Sequence, residues 1–180
     1  MNFNNINQSL ENVLRDYQQS FLSKKFSQDS IEKDDLMLAF GLTQELKAIN
    51  KQYWGRQLGA CWERLVKQLC KASCNNFSLP HNSSYDLALG QDALDTKYRL
   101  GSGDSKTVRG WKANGEQLKA EGFNPILLIV RTDNLDAAIQ ACQVGGWEIK
   151  VGSDAYQYLE NKTQFNLQTW LRERRDRFTF

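Results

Sequence analysis

The densest group of chemically capable residues in this chain lies in the stretch YDLALGQDALDTKYRL, residues 85–100. Two short runs of strand-forming residues flank Gly90-Gln91, and each carries an aspartate, Asp86 and Asp95, with Lys97 two residues on. A two-residue loop with glycine first suits a type II′ hairpin turn. That register sets Leu89 opposite Asp92, Ala88 opposite Ala93, Leu87 opposite Leu94 and Asp86 opposite Asp95. Alternation then puts Asp86, Ala88, Ala93, Asp95 and Lys97 on one face of the hairpin. The other face carries Tyr85, Leu87, Leu89, Leu94 and Tyr98 and is expected to meet the core. Carboxylates directly opposite one another have Cβ atoms about 4.5–5.5 Å apart and repel. A cation belongs between them: Lys97, or a divalent metal, because hard cations prefer clustered carboxylate oxygens. The small Ala88 and Ala93 are expected to leave room for an incoming group.

An acidic residue on one strand followed by Asp-x-Lys on the next, here Asp86 and then Asp95-Thr96-Lys97, resembles the PD-(D/E)xK nucleases, above all the type II restriction endonucleases. The order helix, hairpin, helix, strand, helix over about residues 55 to 150 resembles their common core as well. The resemblance implies a restriction-endonuclease-like α/β fold, a mixed central sheet flanked by helices, with extra N-terminal helices. It implies Mg²⁺ held by Asp86, Asp95 and the Thr96 carbonyl, and completed directly or through water by Glu63 on the preceding helix. Lys97 is implied to orient or help deprotonate the attacking water and to stabilise the phosphorane-like transition state. Tyr85 stands where a proline is common in the family.

The tripeptide alone is a weak signal. Glu45-Leu-Lys47, Asp104-Ser-Lys106, Glu148-Ile-Lys150 and Glu160-Asn-Lys162 match it too. Only the Asp95 copy lies on an expected strand paired with a second strand that carries a carboxylate opposite.

These residues need elements to hold them. Apolar residues recur at helical spacing from Gln8 to about Lys25, at Leu10, Val13, Leu14, Tyr17 and Phe21. A second helix is expected from about Asp34 to Ile49. The third, RQLGACWERLVKQLCKASC, brings Leu58, Trp62, Leu65, Val66 and Leu69 to one face and ends near Asn75-Asn76. After the hairpin, GSGDSKTVRG reads as a loop and WKANGEQLKAEG as a short helix. NPILLIVRT reads as a buried strand, NLDAAIQACQVGG as a helix, WEIKVG as a strand, and SDAYQYLENKT and NLQTWLRERRDRF as helices. Helices, then a hairpin, then alternating strand and helix make an α/β domain with a mixed sheet. One domain is expected over 1–180, with a helical part at 1–50, the nuclease core at 51–155 and a helical part at 156–180.

Between Lys97 and Lys119 the chain concentrates Arg99, Lys106, Arg109 and Lys112, with Trp111, Asn114 and Gln117 interleaved. This mixture suits phosphate neutralisation plus base-edge hydrogen bonding, so double-stranded DNA is the expected partner. Arg131, at the end of the apolar strand, is a secondary candidate. Enzymes that read symmetric sites act as two-fold dimers, so a homodimer is expected.

At 180 residues, with 41% hydrophobic and 24% charged residues, the chain has the usage of a globular domain. A net charge of +2 announces no global basic field. No run approaches the roughly 18 apolar residues of a membrane span, and MNFNNINQSL lacks the basic-then-apolar order of a signal peptide, so a cytoplasmic protein is expected. The four cysteines show no CxxC spacing, and His81 is the single histidine, so thiols in a reducing compartment are expected rather than structural zinc. GSGDSKT resembles a phosphate loop, but Ser105 stands where the Walker pattern needs Gly before the Lys, so no nucleotide cofactor is expected. A junction-resolving or repair nuclease, or a DNA-binding module that does not cut, shares the fold and remains open.

Overall fold

The computed structural model describes residues 33–80, 84–101 and 105–179. The helix expected from Gln8 to Lys25, and His81, lie outside them. The described residues belong to one compact unit that runs from Glu32 to Phe180.

Three helices precede the sheet. The expected helix Asp34–Ile49 is two: α1 (Asp35–Ala39) and α2 (Gln44–Ile49). Gly41, at φ +62°, turns the chain between them, a conformation that costs glycine little. Asp34 caps α1 by accepting from Met37 N at 3.0 Å, and Thr43 restarts the chain as α2 by accepting from Leu46 N at 3.2 Å. α3 (Lys51–Ser73) is capped by Asn50 and buries Leu58, Trp62, Val66 and Cys70, an i, i+4 stripe.

The sheet has five strands in sequential order: β1 (Phe77–Ser78), β2 (Leu87–Leu89), β3 (Asp92–Lys97), β4 (Asn124–Ile129) and β5 (Glu148–Val151). The first three pair antiparallel, whereas β3–β4 and β4–β5 are parallel, so the sheet is mixed. The two-residue strand β1 was not anticipated; it follows the end of α3 directly and pairs Phe77 with Leu89. Two helices cross between the parallel strands, α4 (Ser105–Ala120) and α5 (Asp136–Val144). The segment read as a loop before Trp111 is helical from Ser105 onward. After β5 come α6 (Ser153–Thr163) and α7 (Leu167–Arg172).

Both faces of the sheet are covered, which makes three layers. On one face Leu87, Leu94, Ile126 and Leu128 pack with α1, α3, α6 and α7; Trp62 is wholly buried there and donates its Nε1–H to Leu128 O at 3.2 Å. On the other face Ala93, Leu127 and Ile129 pack with Leu118 of α4 and Ala138 and Cys142 of α5. This corrects the expected one-sided hairpin. Ala88 and Ala93 are almost fully buried, so they serve close packing and leave no room for an incoming group. Tyr85 belongs to the second cluster and rests on Phe123. Among the described residues no helix is long and apolar enough to cross a membrane.

Candidate active site

The β2–β3 register is the one the turn chemistry predicts: Leu87 faces Leu94, Ala88 faces Ala93 and Leu89 faces Asp92. Gly90 takes φ +63° while Gln91 is not among the positive-φ residues, as a type II′ turn requires. One step before β2 the regular ladder ends: Asp86 N donates to Leu94 O at 2.8 Å although Leu94 already faces Leu87. Asp86 therefore does not take the expected place opposite Asp95 but lies at the hairpin edge, close enough for its charge to act on Asp95.

The hairpin then organises both carboxylates. Asp86 Oδ2 accepts from the backbone N–H and the hydroxyl of Thr96, each at 2.7 Å. Asp95 Oδ1 accepts from Lys97 Nζ at 2.5 Å. The Asp95 side chain is 10% exposed and that of Lys97 34%. Burial is the main reason the Asp95 carboxyl is pushed up to about 7; the Lys97 charge pulls it down, and the neighbouring Asp86 pushes it up again. Near neutral pH Asp95 therefore lies at the edge of holding a proton, the electrostatic condition a bound cation relieves. Cys142 of α5 lies beneath. Burial raises its thiol to about 11, and Asp95 adds to that, so it is a packing residue and not a nucleophile.

Glu63 is not brought into this group. It sits on α3, which packs on the Leu94 face of the sheet, whereas alternation turns Asp95 to the Ala93 face. Its carboxylate pairs with Lys67 one helical turn on, at 2.5 Å. Among the described residues no three His, Cys, Asp or Glu side chains gather as a metal-holding group. The donor set at the hairpin is thus two carboxylates and backbone oxygens. That set suits Mg²⁺, which commonly keeps several waters and takes only one or two carboxylates.

Of the competing Asp/Glu-x-Lys matches, Asp104 lies outside the described residues and the other three separate cleanly. Lys47 of α2 is buried and bonds Tyr98 OH at 3.2 Å. Glu148 and Lys150 pair with each other on the edge strand β5, and Glu160 and Lys162 are helical.

The nucleic-acid candidates divide. Lys106, Arg109, Lys112, Gln117 and Lys119 are exposed on α4, and Asn114 is half-buried. At about 100° per residue the exposed five span roughly half the helix circumference, away from Trp111, Gly115 and Leu118. Lys112 pairs with Glu116 at 3.7 Å, and Gln117 bonds Glu121 at 2.8 Å. Lys119 lies about 20 Å along the axis from Lys106, beside a cleft with Asp92, Asn124 and Lys162 at the other end of the strands from Lys97. Arg99 is partly buried and directs its Nε to Asp133 O at 2.7 Å.

Arg131 corrects the sequence expectation. It is 3% exposed, too buried to meet a phosphate, and pairs with Asp133 at 2.8 Å and Asp34 at 3.3 Å. Tyr98 OH donates to the same Asp34 carboxylate. Burial first, then the Asp34 charge, holds the Tyr98 phenol well above its ordinary range. This buried network of Asp34, Lys47, Tyr98, Arg131 and Asp133 ties α1 and α2 to the ends of β3 and β4. Its one sequence signal was Asp34 standing before a helical run. No family model, no curated protein and no solved structure matches the chain.

Proposed function

We propose that this chain is a Mg²⁺-dependent endonuclease that hydrolyses phosphodiester bonds in double-stranded DNA, sequence-specific in the manner of type II restriction enzymes. The observation that carries the reading is the grouping of two carboxylates and an ammonium on the hairpin: Asp86 bonded to Thr96, the residue after Asp95, with Lys97 Nζ 2.5 Å from Asp95. A buried carboxylate beside a second acid is costly to the fold, and that cost is consistent with a catalytic use. The run α3, β2–β3 hairpin, α4, β4, α5 follows the element order of the nuclease core that the motif resembles, which supports the same reading.

Asp86 and Asp95 would hold the cation, with the Thr96 carbonyl as a third oxygen. Thr96 also orients Asp86 through its N–H and hydroxyl. Mg²⁺ bound there supplies Lewis acidity toward a phosphate oxygen. Lys97 carries fixed positive charge to the place where the attacked phosphate becomes more negative. The exposed cations of α4 neutralise DNA phosphates. A symmetric recognition site brings with it a two-fold homodimer. Glu63, tied to Lys67 on the other side of the sheet, is left out of the core set.

Digestion of a large unmethylated DNA with Mg²⁺ or with EDTA, wild type beside Asp95→Ala, tests this. Discrete bands that need both the metal and Asp95 are expected. A metal-dependent smear, or cutting of branched DNA alone, would retain the site and move the protein to repair or recombination. No cleavage of any substrate would sink the nuclease reading.

A further inference from the structure

We infer that Trp111 is a positioning residue for Lys97: its indole face and the Asp95 carboxylate hold the lysine ammonium between them at the end of β3. For its catalytic consequence, the inference rests on the nuclease reading above.

A lysine is a point charge on a flexible four-carbon stem, and fixing it costs rotamer entropy. Lys97 is about one-third exposed, so burial alone does not hold it. It has two contacts that can: Asp95 Oδ1 at 2.5 Å and the Trp111 ring, whose centroid is 5.0 Å from Nζ. These contacts differ in kind. A cation drawn to Asp95 competes with Lys97 for the same carboxylate oxygens, but it does not compete for an indole face. When Asp95 is engaged, Trp111 is the contact that still aims the ammonium.

Trp111 is itself held firmly. Its ring meets Trp147 edge-on, with centroids 6.0 Å apart and planes at 77°. Trp147 Nε1–H donates to Trp111 O at 2.9 Å, which fixes the backbone beneath the ring. The two helices carrying this arrangement approach closely because Gly115 and Gly145 have no side chains. A Cβ on Gly115 would come within 2.4 Å of Gly145 O, and one on Gly145 within 2.7 Å of the Lys112 backbone. The sequence alone made Trp111 a residue interleaved among basic ones, suited to a base. The packing turns its ring to the lysine instead.

The test uses the full chain with Trp111→Leu and Trp111→Phe, Leu removing the π face and Phe keeping a weaker one. Ring currents from the indole should displace the Lys97 side-chain proton resonances upfield in the wild type, with assignment by their loss in Lys97→Arg. They should return to ordinary lysine positions in Trp111→Leu and lie between in Trp111→Phe. DNA cleavage by Trp111→Leu should fall in kcat on the order of tenfold, with KM for DNA within twofold, and Trp111→Phe should recover most of it. A Lys97 signal that is not displaced in the wild type overturns the inference. So does a Trp111→Leu enzyme that keeps its kcat and loses only KM, which would make the indole a base-stacking surface. Should the wild type cut nothing while Trp111 still displaces the Lys97 signal, the nuclease reading falls and the positioning stands.

Discussion

At the scale of single residues, the decisive feature is a carboxylate placed where it is costly. Asp95 is buried beside Asp86, and its carboxyl is raised from the ordinary 3.8 to about 7. The native state therefore binds this proton more tightly than the unfolded chain. By linkage, stability is fullest below about pH 4, falls as pH rises toward 7, and stays low above it. Asp95→Asn should remove that dependence and leave the variant more stable than wild type at pH 8, by roughly 4 kcal/mol, with little difference at pH 4. Urea unfolding at the two pH values measures it; equal pH profiles for the two proteins would refute the assignment. Mg²⁺ should stabilise the wild type more at pH 8 than at pH 5.5, and Asp95→Asn at neither. The hairpin register from Leu87 to Leu94 was legible in the sequence, because Gly90-Gln91 suits a type II′ turn and alternation follows from it. The irregular step at Asp86, whose N–H bonds Leu94 O, was not. Glu63 was not so readable. Helical periodicity says which residues share a stripe, but not which face of the sheet that stripe will cover.

At the scale of elements, the α4–α5 contact is set by absence of side chains. Gly110 and Gly115 both lie inside α4, yet their surroundings are opposite. A Cβ on Gly110 meets nothing within 4 Å, while one on Gly115 strikes Gly145 O and the Trp147 ring. Gly110→Ala should stabilise the protein by up to about 1 kcal/mol, the ordinary helix gain. Gly115→Ala should destabilise it by about 1–3 kcal/mol through overpacking against backbone. Thermal unfolding of the pair checks this, and a stabilised Gly115→Ala would refute the close approach. The break between α1 and α2 belongs here too. A run from Asp34 to Ile49 satisfies helical periodicity, but Gly41 and the Thr43 cap divide it, and periodicity carries no information on a left-handed turn.

At the scale of the whole molecule, basic residues that are neighbours in a list have different fates. Arg109 is exposed on the outer side of α4, while Arg131 is enclosed by Asp34 and Asp133. If α4 neutralises phosphates, Arg109→Ala should leave stability within about 0.5 kcal/mol of wild type and reduce the slope of log K for DNA against log salt by about 1. Arg131→Ala removes the buried guanidinium that two part-buried carboxylates share and should destabilise the fold by about 2–4 kcal/mol. Its folded fraction should bind DNA with an unchanged slope. Denaturant titration and salt-dependent DNA binding distinguish the two, and the reverse pattern would return Arg131 to the DNA surface.

The sequence by itself determined the features that depend on near neighbours in the chain. These are the α/β class, the hairpin and its register from Leu87 to Leu94, and the helical stripe of α3. Turn geometry, strand alternation and helical period act over a few residues, so local composition suffices to read them. Tertiary structure alone decided what depends on distant partners. It covered the second face of the sheet, so Ala88 and Ala93 became packing residues. It set Glu63 on the far side, enclosed Arg131 between two acids, and brought Trp111 to Lys97. Each of these follows from which helix packs on which sheet face. That choice is made by the summed burial of many side chains and not by any one stretch of residues.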